Sequence, residues 1–354
     1  MRLIVTGGAG FIGSAAVCWA VGADHEVLTI DKLTYAGRRE AIAGVMDSPR
    51  HQFVHADVAD ESAVDDAFRD FDPDAVLHLA AESHVDRSID DPEAFVATNV
   101  RGTFVLLEAS LRHWSRLRGA RRESFRFVQV STDEVFGTLT EDGPFNASSR
   151  YAPNSPYAAS KAAADHFARA WHRTYGLPVI VTNCSNNYGP RQHAEKLIPT
   201  VIRHALAGVS VPIYGTGANL RDWLYVEDHV RGLMAALRHG RPGQTYLFGG
   251  RCEMRNLDLT KMICALLDAR RPSSDGMSYA QQITFVMDRP GHDFRYAVDP
   301  SHAESALGWK ADERLETGLP KTIEWYLAHP DWLIPVKELG RLGTRVAEIA
   351  GTPL

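Results

Sequence analysis

The stretch that decides the fold is RLIVTGGAGFIG, residues 2–13. A short apolar run rich in β-branched residues leads into a turn that contains Gly7, Gly10 and Gly13, and a helical pattern follows. Glycines at such a place allow a tight turn and let the backbone approach a pyrophosphate at the helix N-terminus. The spacing is GxxGxxG rather than the commoner GxGxxG. The stretch therefore predicts a strand, a phosphate-binding turn and a helix.

The first half of the chain continues this alternation of strands and helices. Short β-branched runs are separated by segments with apolar residues at helical spacing, such as VRGTFVLLEASLRHW and SPYAASKAAADHFARAWHRTYG. Strands that alternate with helices form a parallel sheet with both faces covered. We therefore expect an α/β protein with a Rossmann-type doubly wound parallel sheet, whose strands are RLIVTG, HEVLTID, QFVHADV, DAVLHLA, FRFVQVS and PVIVTN.

The second half has a different character. After about residue 180, Gly, Pro, Asn and Arg cluster in loops and short elements, and LETGLPKTIEWYLAHPDW near the end has the pattern of a helix with an apolar face. We therefore predict a dinucleotide-binding domain over residues 1–180, with a return segment near 222–250. A smaller mixed α/β region over 181–354 is predicted to bind most of the substrate.

Composition and charge limit the classes of partner. The chain has 354 residues, a net charge of −6 and an isoelectric point near 6.2, so we expect no binding to nucleic acid or to an anionic membrane. No apolar run is long enough to span a membrane, and MRLIVTGG enters a strand without a signal peptide. Cys18, Cys184, Cys252 and Cys264 have neither CxxC nor metal-ligand spacing. The prediction is a cytoplasmic protein without a metal site.

An acidic residue closes the second predicted strand. Asp31 in VLTIDK can accept hydrogen bonds from the two ribose hydroxyls of NAD, and it repels the 2′-phosphate of NADP. The neighbouring Lys32 could tolerate that phosphate, which keeps NADP as the alternative. NAD is the predicted cofactor. The ends of the third and fourth strands should border it too, although close helix packing alone would explain the small residues Ala80 and Ala81.

Two carboxylates follow the fifth predicted strand, in STDEVFG, residues 131–137. A buried strand has no use for adjacent unpaired charges, because burying such a charge is costly. Asp133 and Glu134 are therefore either loop residues that face water or cap a helix, or a working pair at a substrate cleft. A regular strand would point them to opposite faces. A shared role therefore predicts that the backbone leaves strand geometry by Asp133.

A YxxxK pattern lies further on, at Tyr157 and Lys161. Residues four apart share one face of a helix, so the lysine can lie beside the tyrosine and favour its phenolate. The side chain of a free tyrosine has a pKa of about 10 and needs such help to act as a base near neutrality. An ordinary amphipathic helix would explain the pattern by itself. The glycine turn and the Ser/Thr at the end of the fifth strand make chance a poor explanation.

Taken in order, these motifs point to a family. TGGAGFIG, Thr132, Tyr157 and Lys161 resemble the extended short-chain dehydrogenase/reductases that act on nucleotide sugars. Among these enzymes, the sequence resembles the dTDP-glucose 4,6-dehydratases over residues 1 to about 330. The motifs that carry this resemblance are DKLTYAG, LAAESHVDRSI, STDEVFG, SPYAASK, NCSNNYGP, EKLIP, RDWLYVEDH and DRPGHD. The resemblance implies tightly bound NAD, dTDP-glucose as the substrate, and a homodimer that pairs through helices near residues 100–115 and 157–174.

The resemblance also implies a reaction. Tyr157, assisted by Lys161, takes the proton of the sugar 4-hydroxyl while hydride leaves C4 for NAD, and Thr132 hydrogen-bonds the 4-oxygen. Glu134 then removes the C5 proton, Asp133 protonates the departing 6-hydroxyl, and hydride returns to C6. The products are dTDP-4-keto-6-deoxyglucose and water. Like charges at short range push their pKa values apart, so one of the two carboxyls can stay protonated near neutrality.

The remaining assignments follow from the same resemblance. Arg221 suits a diphosphate, because a guanidinium binds phosphate oxygens in a bidentate manner, with a salt bridge to Asp222 or Glu227 as the alternative. Two departures from the family pattern are His193-Ala194, where Phe-Pro is usual, and Phe294, where Arg is usual. The predicted cofactor contacts are Gly7, Gly10, Phe11, Ile12, Gly13, Asp31, Lys32, Leu33, Thr34, Asp57, Val58, Leu79, Ala80, Ala81, Glu82, Ser83, Thr98, Tyr157, Lys161 and Asn186. The predicted substrate contacts are Ser83, Thr132, Asn187, Lys196, Leu197, Pro212, Ile213, Tyr214, Arg221, Asn256, Asp288, Arg289, Pro290, Gly291 and His292.

Other functions on the same fold make different demands on these residues. A UDP-sugar 4-epimerase or decarboxylase keeps Tyr157 and Lys161 but needs no acid pair. A GDP-mannose 4,6-dehydratase carries an acid pair but favours NADP, against which Asp31 argues. A UDP-sugar 4,6-dehydratase remains an alternative that differs in the nucleotide of its substrate. A non-catalytic NAD-binding protein would show damage in the catalytic set, and that set is intact.

Overall fold

The computed structural model describes residues 1–139 and 143–334. Thirteen strands are assigned in these ranges. In chain order they are β1 (Arg2–Thr6), β2 (Glu26–Asp31), β3 (His51–His55), β4 (Ala75–His78), β5 (Arg126–Thr132), β6 (Val179–Cys184), β7 (Asn186–Tyr188), β8 (Val211–Tyr214), β9 (Leu220–Tyr225), β10 (Thr245–Phe248), β11 (Glu253–Arg255), β12 (Ile283–Val286) and β13 (Arg295–Tyr296).

Twelve α-helices are assigned in the same ranges. They are α1 (Phe11–Gly22), α2 (Glu61–Phe71), α3 (Val85–Asp90), α4 (Pro92–Phe95), α5 (Gly102–Arg116), α6 (Gly119–Ser124), α7 (Pro156–Tyr175), α8 (Leu197–Leu206), α9 (Val226–His239), α10 (Asn256–Arg270), α11 (Ser301–Leu307) and α12 (Leu315–Ala328). A π-helical turn, Val96–Arg101, leads into α5. No helix in the described ranges is both long enough and apolar enough to cross a bilayer.

The large sheet is the predicted doubly wound one. Seven strands pair in parallel in the order β3-β2-β1-β4-β5-β6-β10. The six predicted strands are all present, and the seventh, β10, is reached through α9 after the chain has left β6. Because the order reverses between β1 and β4, the loops after these strands open a crevice at the carboxyl edge, where such sheets bind ligands.

Helices cover both faces of this sheet, as a parallel sheet requires. On one face α1 and α9 pack on the strands through apolar side chains such as Val17 and Leu233. On the other face α2, α5 and α7 do so, with Leu106 packed near Phe127 of β5. The continuous apolar strands of the sequence are thus explained by burial on both sides.

Apart from α9, β10 and α11, which belong to the large sheet and its cover, the described chain beyond β6 builds a second core. Around β9 lie β7, β11 and β13, while β8 pairs with β12 in a separate ribbon. Helices α8, α10 and α12 pack there around Tyr188, Ile263 and Ile323. The predicted terminal helix is present as α12. The proposed boundary at residue 180 stays a prediction, and residues 335–354 lie outside the described part of the chain.

Local signals fix the helix that carries YxxxK. The Ser155 hydroxyl caps α7 by accepting the N–H of Ala158 (3.1 Å), and Pro156 occupies the first turn. At the other end Gly176 adopts a left-handed conformation (φ 76°), which glycine tolerates without strain. The cap places Tyr157 in the first turn of α7, at the edge of the sheet where the ligand crevice opens.

Candidate active site

The glycine turn between β1 and α1 is closely fitted to its surroundings. Gly7 has φ 68°, and a Cβ there would lie 2.7 Å from Ala80. A Cβ on Gly13 would lie 2.0 Å from the Gly7 carbonyl oxygen. No side chain caps α1 at Gly10, so the first amides of this helix stay free for a ligand. The turn can therefore cradle a diphosphate, as the sequence predicts.

Asp31 lies at the end of β2 and joins two loops of the crevice. Its Oδ2 accepts the N–H of Ala9 (2.9 Å) and its Oδ1 accepts the N–H of Leu33 (2.8 Å). Burial raises the pKa of Asp31, and these two hydrogen bonds oppose that shift. The neighbouring Lys32 points its ammonium at Thr98 (2.8 Å) and Asp57 (3.4 Å). This lysine is therefore occupied by groups of the protein.

The strand that leads to the acid pair ends where the sequence requires it to end. Strand β5 ends at Thr132, and a 3₁₀ turn begins at Asp133. The Thr132 hydroxyl accepts the N–H of Glu134 (3.3 Å) and donates to Oδ1 of Asp133 (3.2 Å). The predicted departure from strand geometry is confirmed. Both carboxylates line one cavity, which Tyr157 and Lys161 also line.

The two carboxyls of this pair have different environments. Asp133 is 2% exposed, and no group hydrogen-bonds its Oδ2. Burial and then the charge of Glu134 raise the pKa of Asp133 well above its usual range. Burial also raises the pKa of Glu134, but three cations oppose this rise, those of Arg289, Lys196 and Arg221. The difference favours a protonated Asp133 beside an ionised Glu134.

Tyr157 and Lys161 lie on the predicted common face of α7. Tyr157 is 8% exposed and Lys161 is 4% exposed, and the ammonium of Lys161 donates to the Val130 carbonyl (2.7 Å). Burial and then the charge of Glu134 raise the pKa of Tyr157 well above its usual value, while the Thr132 hydroxyl lowers it. The predicted stabilisation of the phenolate by the lysine does not outweigh burial here.

The comparisons with known proteins agree with this geometry. The family model of GDP-mannose 4,6 dehydratase matches residues 4–322. A probable dTDP-glucose 4,6-dehydratase of Sinorhizobium fredii is 53% identical over 346 residues, or 98% of each chain. The dTDP-glucose 4,6-dehydratase 1 of Escherichia coli is 54% identical over 347 residues, which cover 95% of this chain and 96% of the relative.

A solved structure extends the agreement to the whole fold. DesIV, a dTDP-glucose 4,6-dehydratase of Streptomyces venezuelae crystallised with NAD and dTDP bound, matches with a TM-score of 0.87 and 43% identity. The match covers 95% of this chain and 100% of DesIV. This chain belongs to the dTDP-glucose 4,6-dehydratase family. The curated relatives thus narrow the broader description that the family model carries.

Most of the predicted cofactor contacts of this dehydratase-family protein line a single cavity. Two do not: Leu33, whose N–H binds Asp31, and Asp57, whose carboxylate faces Lys32. Both residues thus contact the lining of the cavity without being part of it. The predicted contacts that line the cavity are Gly7, Gly10, Phe11, Ile12, Gly13, Asp31, Lys32, Thr34, Val58, Leu79, Ala80, Ala81, Glu82, Ser83, Thr98, Tyr157, Lys161 and Asn186.

The predicted substrate contacts divide into two groups. Ser83, Thr132, Asn187 and Lys196 line the cavity, and the Lys196 ammonium donates to the Ser83 carbonyl (2.8 Å). The others lie outside its lining: Leu197, Pro212, Ile213, Tyr214, Arg221, Asn256, Asp288, Arg289, Pro290, Gly291 and His292.

Asp86 links two members of the outer group. Its carboxylate accepts the Tyr214 hydroxyl (3.3 Å) and the Arg289 guanidinium (3.4 Å). Next to them, His292 and Asp288 approach to 2.6 Å. These contacts join α3, β8 and the loop after β12 into one polar surface beside the acid pair. The sequence motifs at these places thus meet in space, although they do not share the cavity.

Arg221 is held by backbone carbonyls rather than by a salt bridge, and its role at a diphosphate stays a prediction. Its guanidinium donates to the backbone carbonyls of Leu220 (2.7 Å), Asp293 (2.8 Å) and Phe294 (3.1 Å), and it lies 4.4 Å from the ring centre of Tyr296. Among the described ion pairs, none joins Arg221 to a carboxylate. The alternative of a salt bridge to Asp222 or Glu227 is therefore wrong. Its positive charge is free to act on the acid pair.

Some residues of the cavity escaped the sequence analysis. His193 and Glu195 line it, and the Glu195 carboxylate lies 3.5 Å from His193 and 3.8 Å from His84. These histidines, with Lys196, lower the pKa of Glu195 to about 2 against the opposing effect of burial. The one sequence feature that could have drawn attention to this part of the cavity is His193, which departs from the family pattern. Other unpredicted lining residues are Ile30, Ala36, Gly37, Ala56, Val130, Ser131, Cys184, Ser185 and Gln192.

The described residues contain no group of three or more His, Cys, Asp or Glu side chains arranged to hold a metal ion. The four cysteines are unpaired thiols.

Proposed function

We propose that this protein is a dTDP-glucose 4,6-dehydratase, which converts dTDP-glucose to dTDP-4-keto-6-deoxyglucose and water with bound NAD. The observation that carries the proposal is the acid pair. Asp133 and Glu134 leave strand geometry and line the same cavity as Tyr157. An oxidoreductase of this fold needs only the Thr132 hydroxyl at that place. The two carboxyls are what an elimination requires in addition.

The residues of the crevice fit NAD. Without a Cβ, Gly7 packs against the Ala80 backbone and Gly13 against the Gly7 carbonyl, and no side chain caps the first amides of α1, which leaves them for a diphosphate. The Asp31 carboxylate is fixed by two backbone amides and keeps further lone pairs for ribose hydroxyls. Because Lys32 faces Thr98 and Asp57, it offers no ready partner for a 2′-phosphate.

NAD, when bound, accepts the hydride from C4 of the glucose and returns it to C6. We assign the proton transfer at the 4-oxygen to Tyr157, with Thr132 holding the same oxygen. The raised pKa of Tyr157 makes its phenolate a strong base. Lys161 lies on the same face of α7 as Tyr157, and its ammonium donates to the Val130 carbonyl of β5. The positive charge of Lys161 favours the phenolate of Tyr157.

The elimination is assigned to the acid pair, with separate roles. Glu134 takes the proton from C5, because three cations favour its ionised form. Asp133 gives a proton to the 6-hydroxyl as water leaves, because burial and the neighbouring charge keep it protonated. This assignment follows the rule that environments which push two pKa values apart separate the acid from the base.

We assign the sugar diphosphate to the polar surface that adjoins the acid pair. Lys196 and Asn187 line the cavity next to the catalytic groups. Arg221 and Arg289 supply two guanidinium groups whose charges reach Glu134. Two guanidinium groups and an ammonium suit the negative charge of a sugar nucleotide's diphosphate. The remaining outer residues, from Pro212 to Tyr214 and from Asp288 to His292, are proposed to hold the nucleotide.

The test is to incubate the purified protein with dTDP-glucose and, separately, with UDP-glucose, both without added NAD. Formation of a 4-keto sugar, detected by its absorbance in alkali, is expected from dTDP-glucose. Product from UDP-glucose at an equal rate would reassign the base preference. Galactose release from UDP-glucose products would indicate a 4-epimerase. Absence of a 4-keto product from either sugar, even with NAD added, would overturn the proposal.

We further propose a homodimer in the cytoplasm. Large apolar side chains remain exposed on the predicted pairing helices and the turn before them: Val96, Phe104, Phe167 and Tyr175. A second copy would cover them. Unpaired thiols are typical of a reducing compartment. Sedimentation equilibrium should give twice the mass of the chain, and Phe104→Lys with Phe167→Lys should shift it to the monomer.

A further inference from the structure

The face of α7 that carries Tyr157 and Lys161 continues as a column of charged side chains. Tyr157, Lys161, Asp165 and Arg169 follow each other at intervals of four residues, so they lie on one face of the helix. Lys161 is nearly buried, and Asp165 is completely buried. From the cavity outward, the column alternates a phenol, an ammonium, a carboxylate and a guanidinium. The mechanism proposed above uses only the first two.

Asp165 is held at its place from the side opposite to Lys161. The hydroxyl of Tyr151 donates to Oδ2 of Asp165 (2.9 Å). The guanidinium of Arg169 donates to the Tyr151 hydroxyl (2.7 Å) and lies 4.7 Å from the centre of that ring. Burial raises the pKa of Asp165, and the charge of Lys161 opposes this rise most, followed by the Ser131 side chain, Arg169 and Tyr151. A buried carboxylate needs cations nearby, and the column places one on each side.

Lys161 has the complementary requirement. Its one hydrogen bond within the protein goes to a neutral group, the Val130 carbonyl. Burial lowers the pKa of Lys161, and Asp165 contributes most to raising it again. A buried ammonium without a nearby anion loses its proton far more readily than one in water. A neutral Lys161 would no longer favour the phenolate of Tyr157.

We propose that Asp165 is a positioning residue that keeps Lys161 charged beside Tyr157, and that Tyr151 and Arg169 hold Asp165 ionised in turn. This inference rests on the proposed function, because it requires Tyr157 to exchange the proton of the sugar. Asp165 acts through Lys161 and touches neither substrate nor cofactor in this arrangement.

Other elements packed against Lys161 cannot replace Asp165. From β6, Cys184 faces it, but burial raises the pKa of that thiol, which stays neutral. From β4, His78 faces it, and burial lowers the pKa of this imidazole to about 3, so it is neutral too. From β5 comes the Ser131 side chain, which carries no charge. Asp165 is thus the carboxylate that counters the buried ammonium.

The test is Asp165→Asn, which keeps the shape and an acceptor for Tyr151 but removes the charge. We measure turnover of dTDP-glucose against pH. The alkaline limb, where Lys161 loses its proton, is expected to move down by about one pH unit or more, and turnover near neutrality to fall about tenfold or more. Tyr151→Phe, which weakens the hold on Asp165 without removing the charge, is expected to give a smaller shift in the same direction.

Asp228→Asn in α9 is the matched control. Asp228 is also completely buried and accepts the N–H groups of Asp312 (2.9 Å) and Glu313 (2.8 Å). Its loss should lower stability but leave both limbs of the pH profile in place. If Asp165→Asn lowers turnover equally at every pH, the inference fails, and if that variant does not fold, an unchanged profile of Tyr151→Phe overturns it. A wild-type protein without dehydratase activity would instead refute the proposed function.

Discussion

Replacing Glu134 by Gln separates the two halves of the proposed reaction. The amide keeps the size of the side chain but cannot take the C5 proton. A positioned general base contributes about a hundredfold to ten-thousandfold to its step, which corresponds to about 3–5 kcal/mol. Water loss should slow by this factor. Oxidation at C4 depends on Tyr157 instead and should continue, so the variant should accumulate the oxidised sugar.

The structure adds a second, opposite effect of the same substitution. After burial, the charge of Glu134 is the largest cause of the raised pKa of Tyr157. Removing this charge should lower the pKa of Tyr157, by about one unit or more for a like charge at short range. The phenolate then forms at lower pH. In Glu134→Gln, the acid limb of the oxidation step should therefore move to lower pH while dehydration nearly stops.

The assay is a single turnover with dTDP-glucose, followed by the absorbance of reduced nicotinamide across a range of pH. The variant should show a lasting rise in this absorbance, where the wild type shows a transient one. Glu304→Gln is the control, since it removes a half-buried carboxylate that pairs with Arg251 (2.9 Å) and does not line the cavity. Dehydration at the wild-type rate would refute the assignment of Glu134. If the acid limb of the pH profile for C4 oxidation does not move, the proposed effect of the Glu134 charge on the pKa of Tyr157 is refuted.

Three further predictions test the cofactor crevice and the pH dependence of folding. Gly13→Ala places a Cβ 2.0 Å from the Gly7 carbonyl oxygen, so it should reduce the free energy of unfolding by about 3 kcal/mol or more and abolish copurification of NAD. Gly22→Ala is the control, because a Cβ there meets open space and should stabilise α1 by up to about 1 kcal/mol. Urea unfolding measures both changes in stability. Asp31→Asn leaves one of two backbone amides without its acceptor, so it should weaken NAD binding about tenfold. It should also reduce the preference for NAD over NADP, because the amide does not repel a 2′-phosphate. Fluorescence titrations with both cofactors measure these changes. Burial lowers the pKa of His84 to about 4, so the folded state binds fewer protons than the unfolded state between about pH 6.5 and 4. Through this residue, the free energy of unfolding should fall by at most about 1.4 kcal/mol for each unit of pH decrease in that window. His84→Asn should make the free energy of unfolding depend less on pH there. An unchanged dependence would contradict the lowered pKa of His84.

The parts of the fold that sequence could predict are those with local causes. The β-branched runs, the turn at Gly7 and the cap at Ser155 act within a few residues, and the strands and α7 are where these signals place them. The departure from strand geometry at Asp133 was also predictable, because two adjacent carboxylates have no place in a buried strand. The crevice then follows from the strand order, since parallel strands present their carboxyl ends at one edge.

The parts that sequence could not predict depend on contacts between distant segments. The buried carboxylate of Glu195 contacts His84, about a hundred residues away in the chain, and the local sequence EKLIP does not predict this contact. The three carbonyls around Arg221 come from β9 and from the segment just before β13, which meet only in the folded protein. Spacing likewise placed Lys161 beside Tyr157, but the direction of the phenol pKa depends on burial and on Glu134, which spacing does not report.

The raised pKa of Tyr157 makes the two halves of the reaction depend on each other. A phenolate with a high pKa is scarce near neutrality, but it is a stronger base toward the 4-hydroxyl when it forms. After it has taken that proton, the ionised Glu134 nearby keeps the proton on the phenol. A protonated phenol can donate a hydrogen bond to the 4-oxygen as negative charge develops there during removal of the C5 proton. If Glu134 takes that proton, as we propose, its charge disappears, and the phenol proton is then held less tightly. The carboxylate to which we assign the elimination therefore also raises the pKa of the phenol to which we assign the oxidation, which an oxidoreductase with only a hydroxyl after β5 could not do.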